Sequence, residues 1–155
     1  MGAAAMTTDL TLPMPARLLI PHRPPMQLVE RLLSYADQAG EVEALFPADS
    51  LLAAADGTLD GVALVELLAQ GYAVIKGYDD LLQGKEISKG YLVGLRKLRL
   101  TGTARVGERL LVRIRTVGSF EGFAVAEGEV ERDGAVVASG TLKLWIVGDA
   151  AGEAA

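Results

Sequence analysis

Two side chains in the stretch LDGVALVELLAQGYAVI, residues 59–75, are equipped for chemistry: Glu66 and Gln70. They stand four residues apart, which on a helix places them on one face, one turn from each other. No other charge follows Asp60 in this stretch, and a helix that is apolar on every face belongs in the middle of a domain. A carboxylate there is costly unless it is paired, hydrogen-bonded or kept protonated. Such a group is a candidate general acid or base. The third candidate is His22, the one histidine of the chain, set among prolines in IPHRPP. Each has a plainer reading: Glu66 satisfied by a cation such as Arg23 or Lys97, and His22 as an imidazole that anchors its loop.

Composition removes other chemistries. With one histidine, no cysteine and scattered acids, no metal-ligand set is expected and no cofactor is implied. Ser50 and Ser88 have no nucleophile machinery beside them. A net charge of −5 and the lack of a dense basic cluster argue against nucleic acid. Residues 59–75 approach membrane-spanning length, yet Glu66, Gln70 and Gly71 interrupt them, so a core helix is expected and no membrane partner. MGAAAMTTDLTLP lacks the basic and apolar regions of a signal peptide, and the expected location is the cytoplasm.

The elements that must hold these side chains follow from periodicity. At 155 residues and half hydrophobic, the chain suits one domain, read as residues 15–147 between a loose arm (1–14) and a frayed tail (148–155). Leu28 to Ala36 fits helix or strand on pattern alone, but the alternation of the GEVEALF that follows favours an extended segment, and the two read as a hairpin. PADSLLAAADGT reads as a packed loop or short helical turn, with Asp60 as the N-cap of the central helix. That helix is expected to run to about Tyr78 or Leu82 with Gly77 as a weak point, and DDLLQGKEISKG to be an exposed connection. YLVGLRKLRLTG reads as a strand with imperfect alternation. RVGERLLVRIRTVGSF, GFAVAEGEVER and AVVASGTLKLWIV add three long strands, with Asp133-Gly134 as a hairpin turn. Arg96, Lys97 and Arg99 read as a solvated strand face, or as a seat for a phosphopantetheine arm or an acidic carrier protein. Tyr72, Tyr78, Tyr91 and Phe123 read as packing residues, with the lining of an acyl tunnel as the alternative. An antiparallel sheet wrapped around one long helix buries this pattern best.

That arrangement is the hot-dog fold, of class α+β, and three stretches narrow it further. IPHRPPMQLVERLL resembles the opening segment of the bacterial 3-hydroxyacyl-ACP dehydratases of fatty acid synthesis. DGVALVELLAQ resembles the start of their central helix, and GYLVGLRKLRLTGTARVGERLLVRI the strand and Gly-acid turn that follow. PHRPPM looks like the branch found in aryl-polyene-type biosynthesis. The resemblance implies that Glu66 is the catalytic acid and that the Gly61 N–H polarises a thioester carbonyl. It further implies that Gln70 supports the acid, and that His22 is a structural residue unless it moves into the site as the base. The family's loop histidine falls at about Leu52, and Asp60 stands where a proline precedes the glycine. Implied partners are an acyl thioester on acyl carrier protein or coenzyme A, and a second subunit in a homodimer or a heterodimer. A hot-dog thioesterase and a non-catalytic acyl-binding or partner subunit remain alternatives, because neither needs the loop histidine.

Overall fold

The computed structural model describes residues 9–147. The chain forms β1 (Met14–Pro15), a 3-10 turn at Ala16–Leu18, β2 (Val29–Ala36) and β3 (Ala39–Leu45). Then come α1 (Gly61–Leu82), β4 (Gly90–Leu100), β5 (Arg109–Phe120), β6 (Phe123–Arg132) and β7 (Ala135–Ile146). All seven strands form one antiparallel sheet in the order β1-β2-β3-β5-β6-β7-β4. It curves round α1, and this is the hot-dog arrangement. Residues 1–8 and 148–155, which include most of the expected arm and all of the expected tail, lie outside the described residues. Of the remainder of the arm, Leu10 and Leu12 pack on the core, and Met14 is buried and pairs with Leu32.

Alternation along the strands decides which face meets the helix. In β3 and β5, Val42, Ala44, Leu110, Val112 and Ile114 turn inward and are buried. Glu41, Glu43, Arg113 and Arg115 turn outward. There Arg113 donates to Glu41 at 2.8 Å and to Glu131 at 2.8 Å, and their carboxylates hold its guanidinium well above its usual pKa. Glycine sets how closely α1 can lie. A Cβ on Gly71 would stand 2.7 Å from Val112 Cγ1, and one on Gly77 would stand 2.0 Å from the Leu19 carbonyl oxygen. Gly77 is therefore a close contact with the segment before β2, not the expected weak point.

α1 ends at Leu82, the later of the two expected ends, and this corrects the reading of DDLLQGKEISKG as wholly an exposed connection. Asp79–Leu82 is helical and not an exposed connection, and Asp80 is wholly buried. Its carboxylate accepts from Lys76 Nζ at 2.6 Å and from the Ser88 N–H at 2.9 Å, so it straps the loop that leads into β4. Two acids close together are the usual mark of a solvated loop, and the pattern gave no sign that one of them had buried partners. Tyr78 donates to the Leu10 carbonyl at 2.7 Å, and Tyr35 donates to Asp79 at 2.6 Å.

Replacing Asp80 with alanine should cost about 3 kcal/mol of unfolding free energy, because the carboxylate facing Lys76 is lost and the Ser88 N–H loses its acceptor. Chemical denaturation against wild type measures it. Burial, and then the bond to Asp79, push the Tyr35 phenol up to about 12. The folded state favours the neutral phenol, so this contribution is complete below the unfolded value of about 10 and is lost as pH rises from there towards 12. Tyr35→Phe should flatten the wild-type decline in melting temperature over that window.

Candidate active site

Asp60 caps α1 as its position suggests. Its Oδ1 accepts from the Val62 N–H at 3.1 Å and its carbonyl from the Ala63 N–H at 2.9 Å. The Gly61 N–H is left without a partner among the described residues, at the helix end where donors and dipole favour negative charge. A Cβ on Gly61 would stand 2.6 Å from Leu100 Cδ1, so the last residue of β4 lies over this end of the helix. Leu100 is half exposed, and the sequence marks it only as a strand residue, not as part of a site. Only the sheet brings it there.

Gln70 is wholly buried, and both ends of its amide are used. Nε2 donates to Glu66 Oε2 at 2.8 Å and to the Met26 carbonyl at 2.7 Å. Oε1 accepts from the Leu28 N–H at 2.8 Å. One side chain thus joins the acid to the proline-rich segment that carries His22. The expected pairing of Glu66 and Gln70 is present. Neither cation named as an alternative partner for Glu66 is used that way. Arg23 Nη1 donates to the carbonyls of Ile20 at 2.9 Å and His22 at 2.7 Å, and Lys97 lines a groove on the outer face of the sheet.

Glu66 is only partly buried, which corrects the expectation of a helix enclosed on every side. Val62, Val65, Glu66, Ala69, Ala73 and Lys76 form a stripe along α1 that keeps solvent exposure, and Val62 is 68% exposed. Apart from Glu66 and Lys76 the stripe is small and apolar. His22 is half-buried, and its Nδ1 is enclosed without a hydrogen-bond partner among the described residues. Leu52, at the position expected for the family histidine, packs against the core. Among the described residues no group of three or more histidine, aspartate or glutamate side chains could hold a metal, and no helix is long and apolar enough to cross a membrane.

With this geometry in hand, the comparison with protein families is decisive. The ApeP-like dehydratase model matches residues 14–152. The chain belongs to this dehydratase family. It is 32% identical over 141 residues to the 3-hydroxyacyl-[acyl-carrier-protein] dehydratase FabZ of Streptococcus equi subsp. zooepidemicus, covering 79% of this chain and 89% of that one. The FabZ of Shewanella woodyi is 25% identical over 138 residues, covering 79% and 84%. Among solved structures, the dehydratase heterocomplex ApeI:P from Xenorhabdus doucetiae aligns with a TM-score of 0.80 and 26% identity over 86% of this chain and 91% of that one. A Streptococcus pneumoniae protein described as a hypothetical thioesterase with coenzyme A aligns with a TM-score of 0.59 at 14% identity, covering 75% and 84%, which shows the shared fold alone.

Gln70→Ala should leave the Leu28 N–H without its acceptor and free both the Met26 segment and Glu66. The expected loss is about 1–3 kcal/mol in denaturation, with faster amide exchange at Leu28. Unchanged exchange there would show that the bond does not hold the segment.

Proposed function

We propose that this protein dehydrates 3-hydroxyacyl thioesters carried on acyl carrier protein, as one subunit of a hot-dog dimer in the cytoplasm. Membership of the dehydratase family supports the reaction class, and the placement of Glu66 supports its part in it. Glu66 is held by Gln70 in the partly open apolar stripe of α1, a little over one turn from the unbonded Gly61 N–H. This is the observation that carries the reading.

The Gly61 N–H polarises the thioester carbonyl as negative charge develops on its oxygen. That acidifies C2, whose proton passes to a base. The electron pair forms the C2–C3 double bond, and the C3–O bond breaks as protonated Glu66 gives its proton to the departing hydroxyl. The products are an enoyl thioester and water. Gln70 acts as a positioning residue, since it fixes the carboxyl without meeting substrate.

Two sources of the base are in view. His22 is the chain's one imidazole, and its unpartnered Nδ1 supports a role in taking up a proton once substrate is bound. The other source is a second subunit lying against the stripe around Glu66. The apolar packing of Leu52 at the expected histidine position supports this second reading, as does the likeness to a dehydratase heterocomplex. The thioesterase alternative is not favoured, because the dehydratase family match spans most of the chain.

The test is turnover of 3-hydroxyacyl-ACP, with saturated acyl-ACP as a hydrolysis control. Glu66→Gln should lower dehydration about 10²–10⁴-fold, the usual worth of a positioned acid. If His22 is the base, His22→Ala should lower it comparably, with a changed pH profile. If the base comes from a second subunit, His22→Ala should stay near wild type. Dehydration that survives Glu66→Gln would overturn the assignment of the acid.

A further inference from the structure

β4 is the free edge of the sheet opposite β1, and none of its eleven residues is buried. Tyr91, Leu92, Val93, Leu98 and Leu100 are all exposed there. A long apolar edge of this kind is a template for another strand. Its charges are equally distinctive. Arg96 faces Thr141 and Arg99 faces Ser139 on β7, so three residues of β4 span two of its neighbour. That bulge contains Lys97, whose φ of 54° lies in the left-handed region where lysine is uncommon. In unbroken alternation Arg96 and Arg99 would point to opposite faces. The bulge puts both on the outer face, and Lys97 joins Arg99 in lining a groove of about 630 Å³ there.

Among the described residues these three cations lack the pairing that Arg113 and Arg115 have on the same face. Across the sheet, Arg115 faces Glu127, which faces Thr141, which faces Arg96. One row along, Glu41 faces Arg113, which faces Glu129, which faces Ser139, which faces Arg99. Arg113 and Arg115 both pair with glutamates on neighbouring strands. Arg96, Lys97 and Arg99 have no side-chain partner among the described residues. Continuing either row calls for acid on the next strand out. β4 itself, GYLVGLRKLRL, contains no acid. A second copy paired through β4 therefore cannot supply one in any register. The register that pairs the whole strand with itself also leaves Arg96 of one copy roughly 8 Å from Arg96 of the other.

We propose that the basic bulge of β4 selects against self-pairing and for a different hot-dog subunit whose edge strand carries acidic side chains opposite Arg96–Arg99. The inference rests on the reading that this protein works as a subunit of a dimer, and it names the chemistry of the partner. Complementary charge across the seam fixes partner choice, and like charge penalises the wrong pairing. The exposed leucines, valine and tyrosine supply affinity common to both pairings.

A charge-reversed copy, R96E/K97E/R99E, serves as the acidic-edge probe. Mixed in equal amounts with wild type at low salt, it should give mixed dimers well above the statistical share by native mass spectrometry. The excess should fall as salt shortens the reach of the charges. A statistical distribution at all salt concentrations overturns the proposal. Should the reversed copy fail to fold, wild type alone decides by sedimentation. Self-association about tenfold tighter in 500 mM than in 50 mM NaCl, or none in either, supports selection against self. A homodimer that is insensitive to salt or weakened by it overturns the proposal. Loss of carrier-protein binding by the reversed copy, with an unbiased dimer distribution, would assign the bulge to the carrier and overturn it likewise. Dehydration is assayed on the same samples, so a failure of the charge selection is distinguishable from a failure of the dehydratase reading.

Discussion

Gln70 is a primary amide enclosed on all sides, so every hydrogen bond it fails to make inside the protein is lost outright. It makes three: one to Glu66, one to the Met26 carbonyl and one from the Leu28 N–H. These bonds fix which face of α1 lies under the proline-rich segment, and hence which face stays open. Gly77 reinforces the choice seven residues on, where only a residue without a Cβ lets the Leu19 backbone come so close. The two contacts lie on one side of the helix, and the sheet covers another. What remains uncovered is the stripe of Val62, Val65, Glu66, Ala69 and Ala73.

Much of this was legible in the sequence because it depends on period and spacing. Alternation identified β3, β5, β6 and β7, though not the short β1, and Asp60 marked the start of α1. The four-residue step from Glu66 to Gln70 predicted their contact. What escaped depends on what lies across from a residue. The four partly exposed apolar residues around Glu66 look in sequence like core positions, and only the sheet's coverage of α1 separates them from Leu67 or Leu68. Asp80 looked solvated because Lys76 and Ser88, its partners, are an ordinary lysine and a loop residue until the helix end closes on them. The imperfect alternation of Leu95, Leu98 and Leu100 was visible, but its cause, a bulge at Lys97, needs the register with β7.

The half-open setting of Glu66 also revises the physical argument about its cost. A carboxylate sealed inside a core would need a partner cation, and none pairs with Glu66 among the described residues; Arg23 instead donates to two loop carbonyls. With one oxygen bonded to Gln70 and the side chain still reaching solvent, Glu66 needs no such partner. A group proposed to give a proton to a departing hydroxyl and then recover it has reason to stand at such a boundary.

The same boundary has a consequence for assembly. Val62 and the exposed residues of β4 leave apolar surface at the helix and at the sheet edge, and Leu100 touches both because it overlies Gly61. A subunit pairing with β4 would approach the N-terminus of α1 as it buried that edge. Water around the developing carbonyl charge would then be displaced by fixed groups, where the Gly61 N–H counts for more. On the proposed reading the edge strand and Glu66, the proposed acid, are parts of one requirement. The residues proposed to choose the partner, Arg96 to Arg99, lie on the strand whose last residue roofs the helix end where the substrate carbonyl is proposed to bind.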